Sequence, residues 1–362
     1  MTSSRMGTVP ILNHTECKEA AETVRNGFYL VPSFLNTVSA VGTFGIFWLI
    51  YVHFSFRIYY HVNAKILIFI NMLSFLIFSL ATLFSYGTLF VNAILADQDC
   101  DFFFFTHNCS LLRRMFLFSI MLTTLTHISL VTERAYATYM LGAYEGKGPK
   151  IGAALGTLSI CMAVMIVALV TGKEDSAERV TNCFAFSSSK AIGDNVYNMF
   201  RFQLVLEILT WIIYWFLMDY HSRKVRQQIE GHLSDRFQAM ENMIVLRQLG
   251  PLILISSAII GIYIVFSSTG RFFRDAFPLP RYKQFASFIF IMPHNAFLSM
   301  YMYYFLFKRG LEEKKKRMEE TLTSPITQRK PYMEHLREYW NEHYPKRETK
   351  ETPLVSSKSS EV

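Results

Sequence analysis

Seven long apolar stretches run through this chain of 362 residues, with short polar segments between them. They extend from about Phe28 to Phe56, Ala64 to Val91, Leu111 to Glu133, Ile151 to Thr171, Val196 to Tyr220, Gln248 to Ser268 and Tyr282 to Phe307. A helix needs about 20 mostly apolar residues to cross a hydrocarbon core about 30 Å thick, and each stretch has that length with some excess for tilt. A large soluble helical protein would carry charges every turn or so along amphipathic helices. Here Ile66 to Leu95 and Ile151 to Thr171 hold no charge at all. Membrane strands are excluded too, because a barrel reads as short alternating segments. The predicted fold is all-α, a seven-transmembrane helix bundle over residues 28–307. A segment 1–27 precedes it and a basic tail 308–362 follows.

Composition agrees: the chain is 51% hydrophobic, has 33 Phe and is only 18% charged, against an ordinary charged share of about 25%. No internal repeat stands out, which argues against a transporter built from duplicated halves.

The basic residues give the bundle a direction. With the amino terminus outside, the inner side receives 23 Lys and Arg, 13 of them in the tail after Phe307, and the outer side receives 10. The positive-inside rule then puts the amino terminus outside and the tail in the cytoplasm. Without the tail the two sides tie, so the tail carries this inference. Two glycosylation sequons, at Asn13 and Asn108, fall on the outer side of the same topology. The first 27 residues lack an apolar signal-peptide region, so the first apolar stretch is expected to act as signal anchor at the plasma membrane.

Topology also sorts the five cysteines. Cys17, Cys100, Cys109 and Cys183 lie on the outer, oxidising side, and Cys161 lies in the fourth stretch as a small apolar residue. Four cysteines allow three pairings. A Cys109–Cys183 bridge is expected, because it would pin the second outer loop over the bundle. Cys17 and Cys100 are then a second pair or two free thiols.

The third inner loop, His221 to Arg247, is polar and is expected to extend the fifth and sixth helices beyond the membrane. The tail carries Lys314-Lys315-Lys316-Arg317, which suits anionic lipid head groups. Glu312, Glu313, Glu319 and Glu320 dilute that field, so a solvated charged helix explains the run equally well. From Thr321 onward the composition predicts partial disorder.

Nothing in the chain resembles a catalytic or metal-binding constellation. The ten His are scattered, with no His-Glu-x-x-His, no Cys-x-x-Cys and no glycine-rich phosphate loop after a strand. The chain is therefore expected to be no enzyme, and to take no cofactor, metal or nucleic acid.

Polar residues inside the apolar stretches are the informative ones, because a charge at a helix centre costs about 2.5 to 3.5 kcal/mol on insertion scales. Arg201 and Glu207 in the fifth stretch are six positions apart, off the spacing of facing neighbours. Arg201 either snorkels to the outer boundary or lines a pocket. Glu207, deeper, is either a buried structural partner or a pocket residue. Arg113 and Arg114 open the third stretch, and only one of two adjacent residues can face the bundle. His127, Asn71, His294 and Asn295 suit hydrogen bonds between helices. Arg113, Arg114, Arg201, Glu207 and His294 are the ligand-pocket candidates. Pro293 is expected to bend the seventh helix. Gly152 and Gly156 have the small-xxx-small spacing of close helix contact.

Glu133-Arg134 closes the third stretch. Seven helices, an outside amino terminus, a cysteine opening the third helix, another in the second outer loop and this acid-arginine pair together resemble a G-protein-coupled receptor. Thr132-Glu133-Arg134-Ala135-Tyr136-Ala137-Thr138-Tyr139 with Ala143-Tyr144-Glu145 is similar to the end of the third helix in nematode serpentine chemosensory receptors. Ser234-Asp235-Arg236-Phe237-Gln238 with Glu241-Asn242 and Leu246, leading to Pro251, is similar to the same alpha-type superfamily. Ala137-Thr138-Tyr139 and Tyr144-Glu145 lean toward class epsilon.

The resemblance implies a small-molecule external ligand, a heterotrimeric G protein as inner partner and Glu133 with Arg134 as the coupling residues. It departs from rhodopsin-type receptors at Ala135, at Pro293-His294-Asn295 and in the sixth stretch, whose only proline, Pro251, lies near the inner end. Those receptors' other switches therefore do not carry over. A ligand-gated channel of odorant-receptor type, with its amino terminus inside, and an orphan transporter are the alternatives.

Overall fold

In lipid, a backbone N–H or C=O without a partner costs several kcal/mol, so each apolar stretch closes its hydrogen bonds within itself as a helix. A computed structural model of the chain describes residues 14–54, 60–96, 98–102, 104–140, 148–174, 179–180, 183, 192–227, 233–273 and 277–323. Its helices are α1 (His14–Arg25), α2 (Gly27–Phe54), α3 (Val62–Leu95), α4 (Thr106–Tyr139), α5 (Lys150–Thr171), α6 (Gly193–Gln227), α7 (Leu233–Phe272), α8 (Leu279–Ile289) and α9 (Met292–Thr323). A 3-10 turn spans Asp99–Phe102, and two-residue strands β1 (Phe104–Phe105) and β2 (Arg179–Val180) pair antiparallel. Seven spans are long and apolar enough to cross a membrane: α2 to α7, and α8 with α9 together.

The chain has two compact units, Met1–Lys308 and Arg309–Val362. In the second, the end of α9 carries the ion pairs Arg309–Glu313 and Lys315–Glu319. Residues 324–362, where disorder is expected, lie outside the described residues. So do Asn13 and Ala143-Tyr144-Glu145.

The first unit is apolar outside and polar within. Trp48, Phe84, Leu169 and Phe216 are 64%, 58%, 73% and 77% exposed, while Asn36, Asn71, Gln203 and Glu207 are buried. Side chains that large and apolar have no stable place against water in such numbers, so lipid is what they face. The chain is an integral multi-pass membrane protein. α4 is the most buried span and touches α3, α5, α6 and α7.

Three features differ from the sequence reading. The seventh span is broken rather than bent: Phe290 and Ile291 are non-helical and Pro293 is the second residue of α9. Proline suits a first helical turn because its missing N–H has no partner to lose there. The free Ile291 carbonyl accepts from the N–H groups of His294 and Asn295, both at 3.1 Å. Second, α1 is a helix that hydropathy does not flag, since it is only 12 residues long. Cys17, Ala20, Ala21 and Val24 form its buried stripe at helical spacing, and the last three cluster with Leu89 and Phe102. Third, β1 and β2 are too short for any alternating pattern to reveal. The polar third inner loop did predict that α6 and α7 outrun their apolar stretches, and they reach Gln227 and start at Leu233.

Close contact between α3 and α5 rests on glycine. The Gly152 N–H, unpartnered within the first turn of α5, donates to Asn63 Oδ1 at 3.0 Å. A Cβ on Gly152 would stand 2.5 Å from the Asn63 carbonyl oxygen, and one on Gly156 would strike Ile70 Cδ1. Gly152→Ala is therefore expected to destabilise the bundle by about 1 to 3 kcal/mol through overpacking. Gly45→Ala, where an added Cβ meets nothing within 4 Å, should leave stability unchanged or raise it slightly. Thermal unfolding of the detergent-purified protein, Gly152→Ala against Gly45→Ala, checks the difference.

Candidate functional site

Three polar clusters lie along α4, one at each end and one at mid-depth. At the first end Cys109 is bridged to Cys183, and Arg113 sits one turn further on the same face. Arg113 is fully buried: Nε donates to the Cys183 carbonyl at 2.8 Å and Nη1 to Glu174 Oε1 at 2.9 Å. Ser110 Oγ donates to the other Glu174 oxygen at 3.0 Å. Together with the β1–β2 pairing, these bonds hold the segment after α5 across the start of α4. A second bridge, Cys17–Cys100, fixes α1 to the 3-10 turn. There Arg25 pairs with Asp99 at 3.5 Å and lies 5.1 Å above the Phe102 ring. Both disulfides and both short strands therefore close this one end.

At mid-depth, Thr123, Thr124, Thr126 and His127 of α4 are all buried. Glu207 of α6 accepts from Thr124 Oγ1 at 2.6 Å and from Ser257 Oγ of α7. His127 Nδ1 stands 3.6 Å from Glu207 Oε2, beyond hydrogen-bond reach. Gln203, one turn before Glu207, donates to Thr124 Oγ1 at 2.8 Å. On the other face of α4, Asn71 of α3 donates to Thr126 Oγ1 at 2.6 Å and accepts from Tyr303 of α9 at 2.9 Å. Ser74 and Thr123 share a bond of 2.8 Å. Between these two networks lies a small cavity of about 10 Å³, lined by Phe75, Phe78, Ser119, Ile120, Thr123, Ile260, Met292, Asn295 and Ala296. Phe116 stacks on Phe290 at 5.5 Å, and Tyr263 meets the same ring edge-on at 5.9 Å.

At the far end of α4, Arg134 is buried with Glu133. Nε and Nη2 donate to the two Glu133 oxygens, each at 2.5 Å, and Nη1 donates to Asn242 Oδ1 of α7 at 3.1 Å. Such forked, charge-assisted bonds are about twice as strong as neutral ones. One turn on, Thr138 shares a 2.6 Å bond with His221 of α6, and Tyr60 donates to Gln248 of α7 at 3.0 Å.

The five pocket candidates separate into different environments. Arg113 and Glu207 turn inward, into the first two clusters. Arg114 and Arg201 are exposed, and Arg201 donates to its neighbour Asn198 at 3.3 Å. His294 is exposed and shares a 2.6 Å bond with Ser39 of α2. Asn108 is exposed in the first turn of α4. Gln203, Glu174, Asn242, Ser257 and Tyr303 escaped the sequence reading. A polar side chain one turn from Glu207 was the available signal for Gln203; Asn242 lay within the third-loop motif but its pairing with Arg134 has no sequence signature.

A bundle of seven membrane helices, tied by two disulfides at one end and by a buried acid-arginine pair at the other, has the architecture of a seven-transmembrane receptor. The chain belongs to the family of serpentine type 7TM GPCR receptor class ab chemoreceptors, whose family model matches residues 14–341. Serpentine receptor class alpha-39 of Caenorhabditis elegans is 34% identical over 285 residues, covering 77% of this chain and 76% of that protein. Serpentine receptor class beta-16 of the same nematode is 23% identical over 335 residues, covering 91% and 97%. The nematode serpentine chemoreceptor resemblance is thus established. The matched model is class ab and these relatives are alpha and beta, so nothing in them supports the lean toward epsilon.

Arg113 and Arg114 offer a direct contrast. Arg113→Ala leaves Glu174 buried without its cation, a loss of about 3 to 5 kcal/mol, whereas Arg114→Ala removes an exposed side chain. We expect Arg113→Ala to lower the unfolding temperature and the surface level sharply and Arg114→Ala to change neither. Arg113→Met with Glu174→Gln should recover most of the loss. Thermal unfolding and surface labelling of the three variants measure this.

Proposed function

We propose that this chain is a plasma-membrane chemosensory receptor that binds a small-molecule external cue and activates a heterotrimeric G protein. The amino terminus, the disulfide-closed end and the glycans at Asn13 and Asn108 are outside, and the Arg134 end is in the cytoplasm. The excess of Lys and Arg in the tail supports that orientation. The second and third inner loops and the start of the tail are rich in Lys and Arg in the sequence, which suits an acidic partner.

The observation that carries the reading is the Arg134 clamp. A guanidinium bound to the neighbouring Glu133 and to one residue of α7 is a tie between two helices that breaks without unfolding either. A ligand that binds better when α7 has moved away from α4 shifts the population toward that state, and the freed Arg134 becomes available at the inner face.

Arg134→Ala should abolish agonist-driven nucleotide exchange while surface expression survives. Asn242→Ala acts oppositely. It removes one hydrogen bond to a charged group, worth about 1.5 to 3 kcal/mol, from the resting state, so basal exchange should rise by about tenfold or more. The assay is guanine-nucleotide exchange in membranes from cells carrying a promiscuous G protein, with a ligand screen. Full signalling by Arg134→Ala would sink the role given to the clamp. Loss of the glycan-dependent mobility shift in Asn13→Gln would support the orientation, and an unglycosylated wild-type chain with an inaccessible amino terminus would overturn it.

A further inference from the structure

We infer that, granted the receptor reading above, the cue is a small uncharged molecule with an apolar body and one carbonyl or hydroxyl oxygen. It sits in the cavity between α3, α4, α7 and α9, with its oxygen on the Asn295 amide. The cavity has about the room of one water molecule in this structure. Its walls show how it widens: Met292 is unbranched and flexible, the side chain best suited to swing aside for a guest. Phe75, Phe78, Ile260 and Ala296 make the rest predominantly apolar.

Charge excludes ionic cues. No described residue lining the cavity is charged, and the pairs Arg113–Glu174 and Arg134–Glu133 close on themselves at the two ends of α4. An ammonium or carboxylate guest would lose its hydration against a wall that carries no charged group, which is costly in a dry site. The O–H donors of the two cavity hydroxyls are also committed, since Ser119 donates to the Met115 carbonyl at 2.7 Å and Thr123 to the Ser119 carbonyl at 2.9 Å.

Asn295 differs from them. The residue is 2% exposed, yet its side chain makes two long bonds: Nδ2 donates to Ser256 Oγ at 3.3 Å, and Oδ1 accepts from Ser299 Oγ at 3.4 Å. An amide has two N–H donors and two acceptor lone pairs, so about half of its capacity remains for a guest. The same residue links the guest to the rest of the bundle. Ser256 is on α7, directly before Ser257, which holds Glu207, and the same helix carries Asn242, which holds Arg134. A ligand oxygen that draws the amide away from Ser256 weakens the tie between α9 and α7 at mid-depth.

The test uses the full-length receptor purified in detergent, with ligand-dependent thermal shifts as the binding readout. Probes are short straight-chain ketones and alcohols, compared with straight-chain amines and carboxylic acids that are ionised at neutral pH. Members of the neutral series should bind and the ionised series should not. Asn295→Ala should weaken binding about tenfold, the worth of one hydrogen bond, and Ala296→Leu, which fills the cavity, should abolish it. Met292→Ala enlarges the cavity and should move the preferred chain length upward. That variant decides the matter if Ala296→Leu fails to reach the surface. Binding by no neutral probe, neutral binding indifferent to all three substitutions, or binding of an ionised probe would each overturn the inference. Nucleotide exchange is read separately. Cavity-dependent binding without exchange would count against the receptor reading alone, and exchange driven by an ionised cue would count against this inference alone.

Discussion

A polar atom inside a lipid-surrounded bundle has no water to fall back on, so its partner comes from another helix or from its own backbone. α4 supplies most of those partners. Its hydroxyls and amide-bonded neighbours meet Asn71 and Ser74 of α3 on one face, Ser159 of α5 through Ser129 on a second, and Gln203 and Glu207 of α6 on a third. Thr123, Thr124, Thr126 and His127 are consecutive or nearly so, and a helix turns about 100° per residue, so a short run of threonines points in three directions. Helix order around α4 follows from that geometry as much as from apolar contact.

The contacts are of two kinds, and they divide the bundle. α3, α4 and α5 are held by glycine-permitted approach and short neutral bonds, with Gly152 against Asn63 and Gly156 against Ile70. Such surfaces have one good fit and little tolerance for displacement. α7 packs closely on α6, where a Cβ on Gly250 would strike the Tyr214 side chain, and adds single polar ties: Ser257 to Glu207, Ser256 to Asn295, Asn242 to Arg134 and Gln248 to Tyr60. Each is a single bond that a small shift can exchange for another. The disulfide-closed end is the most cross-linked, because Cys109–Cys183, Arg113–Glu174 and β1–β2 all tie the segment after α5 to the start of α4. A bundle with one braced end and one helix on hydrogen-bonded ties can transmit a change from its middle to its far end.

The seven spans were legible in the sequence because lipid imposes length and apolarity on each of them independently of its neighbours. Gly152 with Gly156 and the inward turn of one of Arg113 and Arg114 were legible for the same reason, as periodicity fixes which residues share a face. The break at Phe290–Ile291 was half legible: Pro293 marks the place, but whether the chain bends or restarts depends on the Ile291 carbonyl finding donors. α1 was invisible to hydropathy because its 12 residues are polar on average, with Cys17, Ala20, Ala21 and Val24 confined to one face. Partners such as Asn242 for Arg134, Glu174 for Arg113 and Tyr303 for Asn71 were not legible at all. Sequence separations of 108, 61 and 232 residues carry no local signal; only the folded bundle brings those side chains together.

Two buried carboxylates, Glu174 and Glu207, illustrate how differently one residue type works in the same bundle. Glu174 answers a fixed cation, and removing either member strands a charge, so the pair acts as a brace. Glu207 has no fixed cation in hydrogen-bond reach among the described residues and is satisfied by hydroxyls. Thr124 and Ser257 can each fall back on the carbonyl one turn earlier in their own helices, as Thr210 does with Leu206 at 2.8 Å. Loss of Glu207, although it takes the acidic neighbour from His127 at 3.6 Å, therefore leaves the two hydroxyl donors with alternatives. Its contribution is to join α6 to α4 and α7 at one point, and a joint whose arms have alternatives on their own helices can open and close. Charge burial here thus takes two forms, one in which losing a partner strands a charge and one in which the hydroxyl donors have somewhere else to bond.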